Sequence, residues 1–320
     1  MAISFEDEVD LDSILEHLND ADAAVRRVAV MDLREADEED AIPLVIKALT
    51  DTDAAVRKEA VQVMDEFSGK DIIQALVNAL ADSDESVREA AAMVLAENQD
   101  TVAGPILMES IKNDDIFVKT SSLRALRELR LTESQTPALA CLEHTNPGVR
   151  REAIGILAYL KNESVLPVLL KSASHDEDEH VRRVAMGSLI FCKNGQATET
   201  LVSGLKDENW QVREESAFIL GKVAPPSAVD ALIDAMNDEY WQVRVKSANA
   251  LGKLKNPAAV DALGQALSLN ISNLRKEAAA SLGEIKSPNG LPFLNVATDD
   301  VDPDVRKIAQ WAITQINMEL

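Results

Sequence analysis

The run Asp207-Glu-Asn-Trp-Gln-Val-Arg-Glu-Glu-Ser-Ala-Phe-Ile-Leu-Gly-Lys-Val223 decides the fold, because it comes back along the chain at a fixed interval. Its core returns 31 residues later within Tyr240-Trp-Gln-Val-Arg-Val-Lys-Ser-Ala-Asn-Ala-Leu-Gly-Lys-Leu254. The arginine of its Val-Arg step can be followed in both directions: Arg26, Arg57, Arg88, Arg150, Arg182, Arg213, Arg244 and Arg306, with Lys119 and Arg275 in the remaining places. Successive anchors are 31 residues apart, except that 32 separate Arg150 from Arg182. Self-similarity at a period of this length marks stacked repeats rather than a set of separate globular domains.

The surroundings of the anchor repeat too. Three residues on, the side chain is always small, as at Ala29, Ala153, Ala185, Ser216 and Ser247. Seven on, it is large and aliphatic or Met, as at Leu33, Met64, Leu157 and Leu251. With the preceding residue, usually Val, these positions share one face of a helix. A second stripe lies twelve and eight residues upstream, as in Leu76 and Leu80, Leu170 and Ser174, or Leu201 and Leu205. Each repeat therefore reads as helix A, a polar turn and helix B.

The residues between helices agree with this reading. Four before the anchor stand Asp22, Asp53, Asp84, Asp115, Asp178 and Asp302, with Asn146 and Asn209 as equivalents. Such a residue can cap helix B through its free amides, and it can face the Arg one turn later. The Asp/Arg ladder could bind a carboxylate-bearing ligand; the architectural reading, in which each Arg caps or bridges neighbouring repeats, is the one expected. Pro43 and Pro105 suit the first turn of helix A, where a missing N–H costs nothing. Pro225-Pro226, Asn256-Pro257 and Asn194-Gly195 mark the returns from B to the next A. Helix pairs of this size cannot bury their stripes alone. The expectation is an all-α solenoid of about ten two-helix repeats, continuous over residues 1–320. Residues 1–12, with Ile3, Phe5, Val9 and Leu11, would cap one end, and Trp311 and Ile316 the other.

At these residues the chain resembles HEAT-type repeats, specifically the short bacterial kind called phycobilisome-lyase-like, whose pattern is D-x-x-W-x-V-R-x-x-A-A-x-A-L-G-x-I. The resemblance covers the whole chain. It implies a superhelix that binds partner proteins. Some members help to attach or remove a bilin on a partner, and others are scaffolds in organisms without bilins.

Composition narrows the function classes. The net charge is −23, and it is uneven: residues 1–100 hold 26 acidic against 8 basic side chains, the rest 29 against 24. Such a field repels nucleic acid and anionic membrane. Its acidic third, including Asp37, Glu38, Glu39 and Asp40, suits solubility or docking to a basic partner surface. Two cysteines fit a reducing compartment, and the acidic first residues look unlike a signal peptide; a cytoplasmic location is expected.

Aromatic residues are only 3% of the chain, which makes the trio Trp210, Tyr240 and Trp241 conspicuous. The two tryptophans occupy one position in consecutive repeats. They either pack against the A–B turn or offer a partner or tetrapyrrole surface, since aromatics anchor interfaces disproportionately. Cys141 and His144 have a metal-compatible spacing, but a stable site needs three or four ligands. Only His175, His180 and Cys192 remain as candidates, a repeat or so away. Cys192 could be a reactive thiol, with Lys193 its one basic neighbour. No G-x-S-x-G, P-loop or H-E-x-x-H occurs. The function expected is a non-catalytic, intracellular protein-binding scaffold or adaptor, holding its partner on the B-helix face and needing no cofactor. It could be an accessory factor for maturing a partner. The alternatives are a bilin lyase or isomerase subunit, and an iron–sulfur or metal carrier.

Overall fold

The computed structural model describes residues 11–192 and 195–319; the expected cap residues Ile3, Phe5 and Val9, together with Lys193 and Asn194, lie outside them. Among the described residues, regular structure is wholly helical: twenty α-helices in ten A–B pairs, with eight short 3-10 turns. This is the α-solenoid that the periodicity demands. The chain divides into two compact units, residues 1–160 and 161–320.

In the first unit the A helices are α1 (Leu11–His17), α3 (Glu38–Ala48), α5 (Lys70–Ala79), α7 (Ala103–Ser110) and α9 (Gln135–Cys141). Their B partners are α2 (Ala23–Asp32), α4 (Ala54–Val63), α6 (Glu85–Glu97), α8 (Ile116–Leu129) and α10 (Pro147–Leu160). In the second unit the A helices are α11 (Leu166–His175), α13 (Thr198–Gly204), α15 (Val229–Ala235), α17 (Val260–Ala266) and α19 (Leu291–Ala297). Their B partners are α12 (Glu179–Ser188), α14 (Trp210–Val223), α16 (Trp241–Leu254), α18 (Ser272–Ile285) and α20 (Pro303–Asn317).

Each B helix packs on its own A helix and on the next B helix of its unit. The anchor stripe supplies the core: Val149, Ala153 and Leu157, or Val243 and Leu251, are fully buried. In the second unit the B helices meet almost backbone to backbone. A Cβ on Gly221 would lie 3.0 Å from the Cα of Ala250, and one on Gly252 would lie 2.9 Å from the Cα of Ser281. At the C-terminal end Ile316 is buried and Trp311 is 42% exposed, its ring leaning over Gly283.

Two local expectations need correction. In the sixth repeat the A-helix stripe is Leu169 and Ala173, which are buried, rather than Leu170 and Ser174. The extra residue between Arg150 and Arg182 is taken up in α11, which runs to His175, so the stripe shifts by one place. Pro43 lies inside α3 rather than in its first turn. Glu38–Asp40 have wound into α-helix where later repeats, such as Pro226–Ala228 and Pro288–Gly290, keep a separate 3-10 turn.

The returns from B to A lie where Pro225-Pro226 and Asn256-Pro257 mark them. Five returns use a left-handed residue that is not glycine: Arg130, Lys161, Ala224, Lys255 and Lys286. Four carry a cation, which interacts favourably with the partial negative charge of a helix C-terminus. Ala224 (φ 47) has the steric cost of that conformation without the charge. Ala224→Gly should therefore raise the unfolding free energy by about 0.5–1 kcal/mol, read as a higher urea midpoint.

Candidate protein-binding site

The A–B turn has a common design in which two side chains, two residues apart, do different work. The second is the helix cap: Asp22, Asp53, Asp84, Asp115, Asp178, Asn209 and Asp302 each accept a backbone amide from the first turn of helix B, and Asn146 accepts the amide of Gly148. The first accepts the amide of the second, as Asp51 does from Asp53 and Asp300 from Asp302. It also receives the anchor Arg of the preceding repeat in a two-pronged contact. Arg26 Nε and Nη2 donate to Asp51 at 2.7 and 2.8 Å, and Arg57 to Asp82, Arg182 to Asp207, Arg213 to Asp238 and Arg275 to Asp300 do likewise. The Nη1 of each Arg donates back to its own turn, as Arg213 does to the Asp207 carbonyl at 2.9 Å. The sequence allowed the Arg either the capping Asp of its own helix or a bridge to a neighbouring repeat. The fork makes the bridge, reaching 25 residues ahead to tie consecutive repeats together, and this architectural role uses up the charge of both partners.

The Arg forks hold the carboxyls of Asp51, Asp82 and Asp300 below their ordinary range. Asp302 is held at about 2, chiefly by a hydrogen bond from Ser272 and then by the amide of Asp304. Unfolding would free these groups to titrate near 3.9. As pH falls below that value the unfolded chain takes up protons that the folded chain does not, so stability is lost on acidification. The melting temperature should stay level above about pH 5 and fall between about pH 4 and pH 2, measured by circular dichroism across a pH series.

The aromatic trio departs from this turn design. Trp210 is the first residue of α14 and Trp241 the first of α16, while Tyr240 stands where other repeats place their capping Asp and makes no side-chain cap. Trp210 and Tyr240 stack, with ring centroids 5.3 Å apart and planes inclined by 10°. The Arg213 guanidinium lies over the Tyr240 ring at 5.5 Å. The pairing is thus between neighbours of unlike type, and Trp241 is not part of the stack. Trp210 is half-buried, whereas Tyr240 is 39% and Trp241 42% exposed. Glu208 and Glu239 stand beside them in solvent, each with one oxygen 3.4 Å from the anchor Arg of the repeat before.

Asp37, Glu38, Glu39 and Asp40 are all exposed at the start of α3, in the other unit. Glu38 Oε1 accepts the amide of Ser68 at 3.5 Å. In the same unit a groove of about 370 Å³ runs between α4 and α6, with Asp65, Glu89 and Glu97 around Met93, which is 65% exposed. Cys141 ends α9 and Cys192 follows the 3-10 turn Leu189–Phe191, both half-buried. Burial pushes both thiols up, away from the thiolate. His144 Nδ1 accepts the amide of Asn146 at 3.0 Å, taking the place of a turn Asp. Among the described residues no three His, Cys, Asp or Glu side chains are grouped to hold a metal.

Further aromatics, which the repeat pattern alone does not single out, lie on B helices or in the turn that follows one, each attended by cations. Arg127 and Arg130 lie over Tyr159, Lys161 over Phe191, and Lys222 and Lys246 over Phe218, at 4.5–5.9 Å. Their signal was available in the aromatic position nine residues after two anchors, Arg150 and Arg182. No helix among the described residues is long and apolar enough to cross a membrane.

Comparison with known proteins agrees with the repeat. The HEAT repeats family matches residues 11–77, 46–127, 136–199, 198–270 and 231–314. No curated protein sequence matches the chain. Among solved structures, an engineered protein is similar at 22% identity over 96% of this chain and 99% of that one, with a TM-score of 0.53. A chain from the structure of Kap95p with RanGDP is similar at 12% identity and TM-score 0.65, over 96% of this chain and 50% of that one. Kap121p bound to Ste12p gives 16% identity and TM-score 0.66, over 96% and 41%. The chain thus spans half or less of these two larger proteins, and at such identities the likeness is one of fold. With the family matched along most of its length, the chain belongs to the HEAT repeat family.

Proposed function

We propose that the protein is a non-catalytic scaffold that binds a partner protein along the A–B turn edge of its seventh and eighth repeats. The observation that carries this reading is Trp241, a large aromatic left 42% exposed at the first position of α16, directly after Tyr240 in the place of the capping Asp. Tyr240 and Trp210 extend it into one aromatic surface, the kind of group that anchors interfaces. The exposed acids Asp37–Asp40 offer a second surface suited to a basic partner, and the Met93 groove, with Asp65, Glu89 and Glu97 against one Lys58, is a further acidic place in the same unit. Kap95p, in complex with RanGDP and with Nup1, and Kap121p with Ste12p are solenoids of this fold that hold proteins. A cytoplasmic accessory role in maturing the partner is the version favoured by the resemblance to lyase-type repeats.

The test is affinity capture from the native cells with the tagged chain and with its Trp210→Ala/Trp241→Ala variant, read by mass spectrometry. A partner present with the first and lost with the second is expected. A partner retained by both would overturn this placement. Trp241→Ala alone should shift the melting temperature by less than about 2 °C, because its exposed ring contributes little to the core; a large fall would instead assign the ring to packing. The bilin-handling alternative draws on the same aromatic surface, since tetrapyrroles stack on such rings. It requires an altered visible spectrum when a bilin is added, and an unchanged spectrum removes it.

A further inference from the structure

The turn edge changes character toward the C-terminal end of the second unit. The two turn positions are Asp238 and Tyr240 in the eighth repeat, then Leu269 and Ile271 in the ninth. Leu269 is 39% exposed, and beside it Val296 and Val301 are 77% and 89% exposed. These three side chains border a cleft of about 710 Å³ with Phe293 in its lining. The Phe293 ring lies flat on Gly264, where an added Cβ would be 2.5 Å from it, so the ring is held in place by the fold.

Leu269 also breaks the Arg ladder. Five anchors fork onto an Asp 25 residues ahead. For Arg244 the residue 25 ahead is Leu269, and the Arg244 Nε is buried without a hydrogen-bond partner. The same turn position holds Asn113 and His144 in two other repeats, so Leu269 is the one apolar residue there; an unsatisfied buried donor is destabilising, and a break in a local pattern at such a cost is expected at a functional site. Here the carboxylate has been exchanged for an apolar wall of the cleft.

The charges around the cleft fix the chemistry of its occupant. Arg275 is neutralised by Asp300, and Lys276 faces Asp302 and Asp304. Asp299 on the rim is exposed. Further along the same turn edge, Glu208 and Glu239 are 87% and 76% exposed. We infer that the cleft between the ninth and tenth repeats receives a large apolar side chain of a partner peptide segment, with a Lys or Arg next to it in that segment. The size suits this, since ligand clefts commonly span about 300–1,000 Å³. The inference rests on the scaffold reading and adds to it a pocket in which the partner's anchor residue sits.

The test uses random peptides displayed on phage and selected against the full chain, followed by fluorescence anisotropy with the enriched peptide carrying a dye. Enriched sequences should pair a large apolar residue with Lys or Arg. Val296→Glu should weaken their binding by about tenfold or more, the effect of losing a buried anchor contact. Leu269→Asp should weaken it too while raising the melting temperature, because it offers Arg244 its missing carboxylate; a variant that merely damaged the fold would lower both. Selected peptides that are acidic or lack an apolar residue, or no enrichment at all, would overturn the inference. So would binding that both cleft variants leave intact. If such binding is nevertheless lost in Trp241→Ala, the cleft is wrong and the scaffold reading stands. If no peptide enriches and affinity capture yields no partner, both fall.

Discussion

Arg213→Ala is expected to lower the unfolding free energy by about 3–5 kcal/mol, the usual cost of removing one member of a buried ion pair. Both partners sit almost out of water, with side-chain exposures of 10% for Arg213 and 9% for Asp238. The Arg makes its fork at 2.6 and 3.1 Å and donates to the carbonyls of Asp207 and Glu208 at 2.9 and 3.1 Å. Alanine would leave a carboxylate and two turn carbonyls without these donors, and Tyr240 without the guanidinium over its ring. Arg213→Lys keeps the charge but loses the planar fork, so it should recover only part of the loss. Arg213→Met with Asp238→Leu should recover most of it, because removing a buried pair together is far milder than breaking it. Arg244→Met supplies the internal contrast. Its Nε has no partner to lose, so this change at the equivalent position should cost little. Urea unfolding gives the magnitudes, and hydrogen exchange should place the Arg213→Ala effect at the α14–α16 junction, since repeats contact only their neighbours.

How far the sequence reaches is visible in these same residues. The helices, their pairing and the buried stripes were legible because they obey a periodicity of identity and size. The Val, the small residue and the Leu must each face a neighbour in every repeat. The capping role of Asp53 or Asp178 was legible because capping is local, decided within three residues. The partner of the Arg was not. A bridge to a neighbouring repeat was in view, but the contact spans 25 residues and the capping Asp lay at a plausible helical spacing, so the acid that takes the fork stayed open. Aligning the repeats at the residue two before the cap would have shown Asp20, Asp51, Asp82, Asp176, Asp207, Asp238 and Asp300 as a second column, with Asn113, His144 and Leu269 as its exceptions and Leu269 the one apolar residue among them. The shift in α11 escaped for another reason. An inserted residue can lengthen a helix or a loop, and only packing decides which. Trp210, Tyr240 and Trp241 were legible as a cluster by type and position, but the stack of Trp210 on Tyr240 depends on how one turn lies over the next.

The tight contacts between B helices lead to the second large effect: Gly252→Val should cost about 3 kcal/mol or more. A valine here adds a Cβ that would lie 2.9 Å from both the Cα and Cβ of Ser281, and two further methyl carbons beyond it. The Ser281 side chain is itself committed, donating to the Ala248 carbonyl at 2.8 Å from a buried position. No rotamer change relieves an overlap with backbone, so α16 and α18 must move apart. Overpacking a core by a few carbons already costs about 1–3 kcal/mol where side chains can yield. Gly155→Ala in α10 provides the control. Its added Cβ would meet the far end of Arg127, the Cδ at 3.0 Å and Nη1 at 3.5 Å; Arg127 donates to Glu128 and Glu152 at 3.0 and 3.2 Å, but it is a long side chain, 28% exposed, that can yield by a few tenths of an ångström where backbone cannot. Alanine is favoured over glycine in a helix interior by about 0.8–1.0 kcal/mol, so this variant should be neutral or slightly stabilised. Glycines of equal helical propensity would then differ by several kcal/mol in their tolerance, according to whether the next helix presents backbone or a flexible side chain. Parallel losses in both variants would mean that glycine is needed for the helix itself and not for the approach of its neighbour.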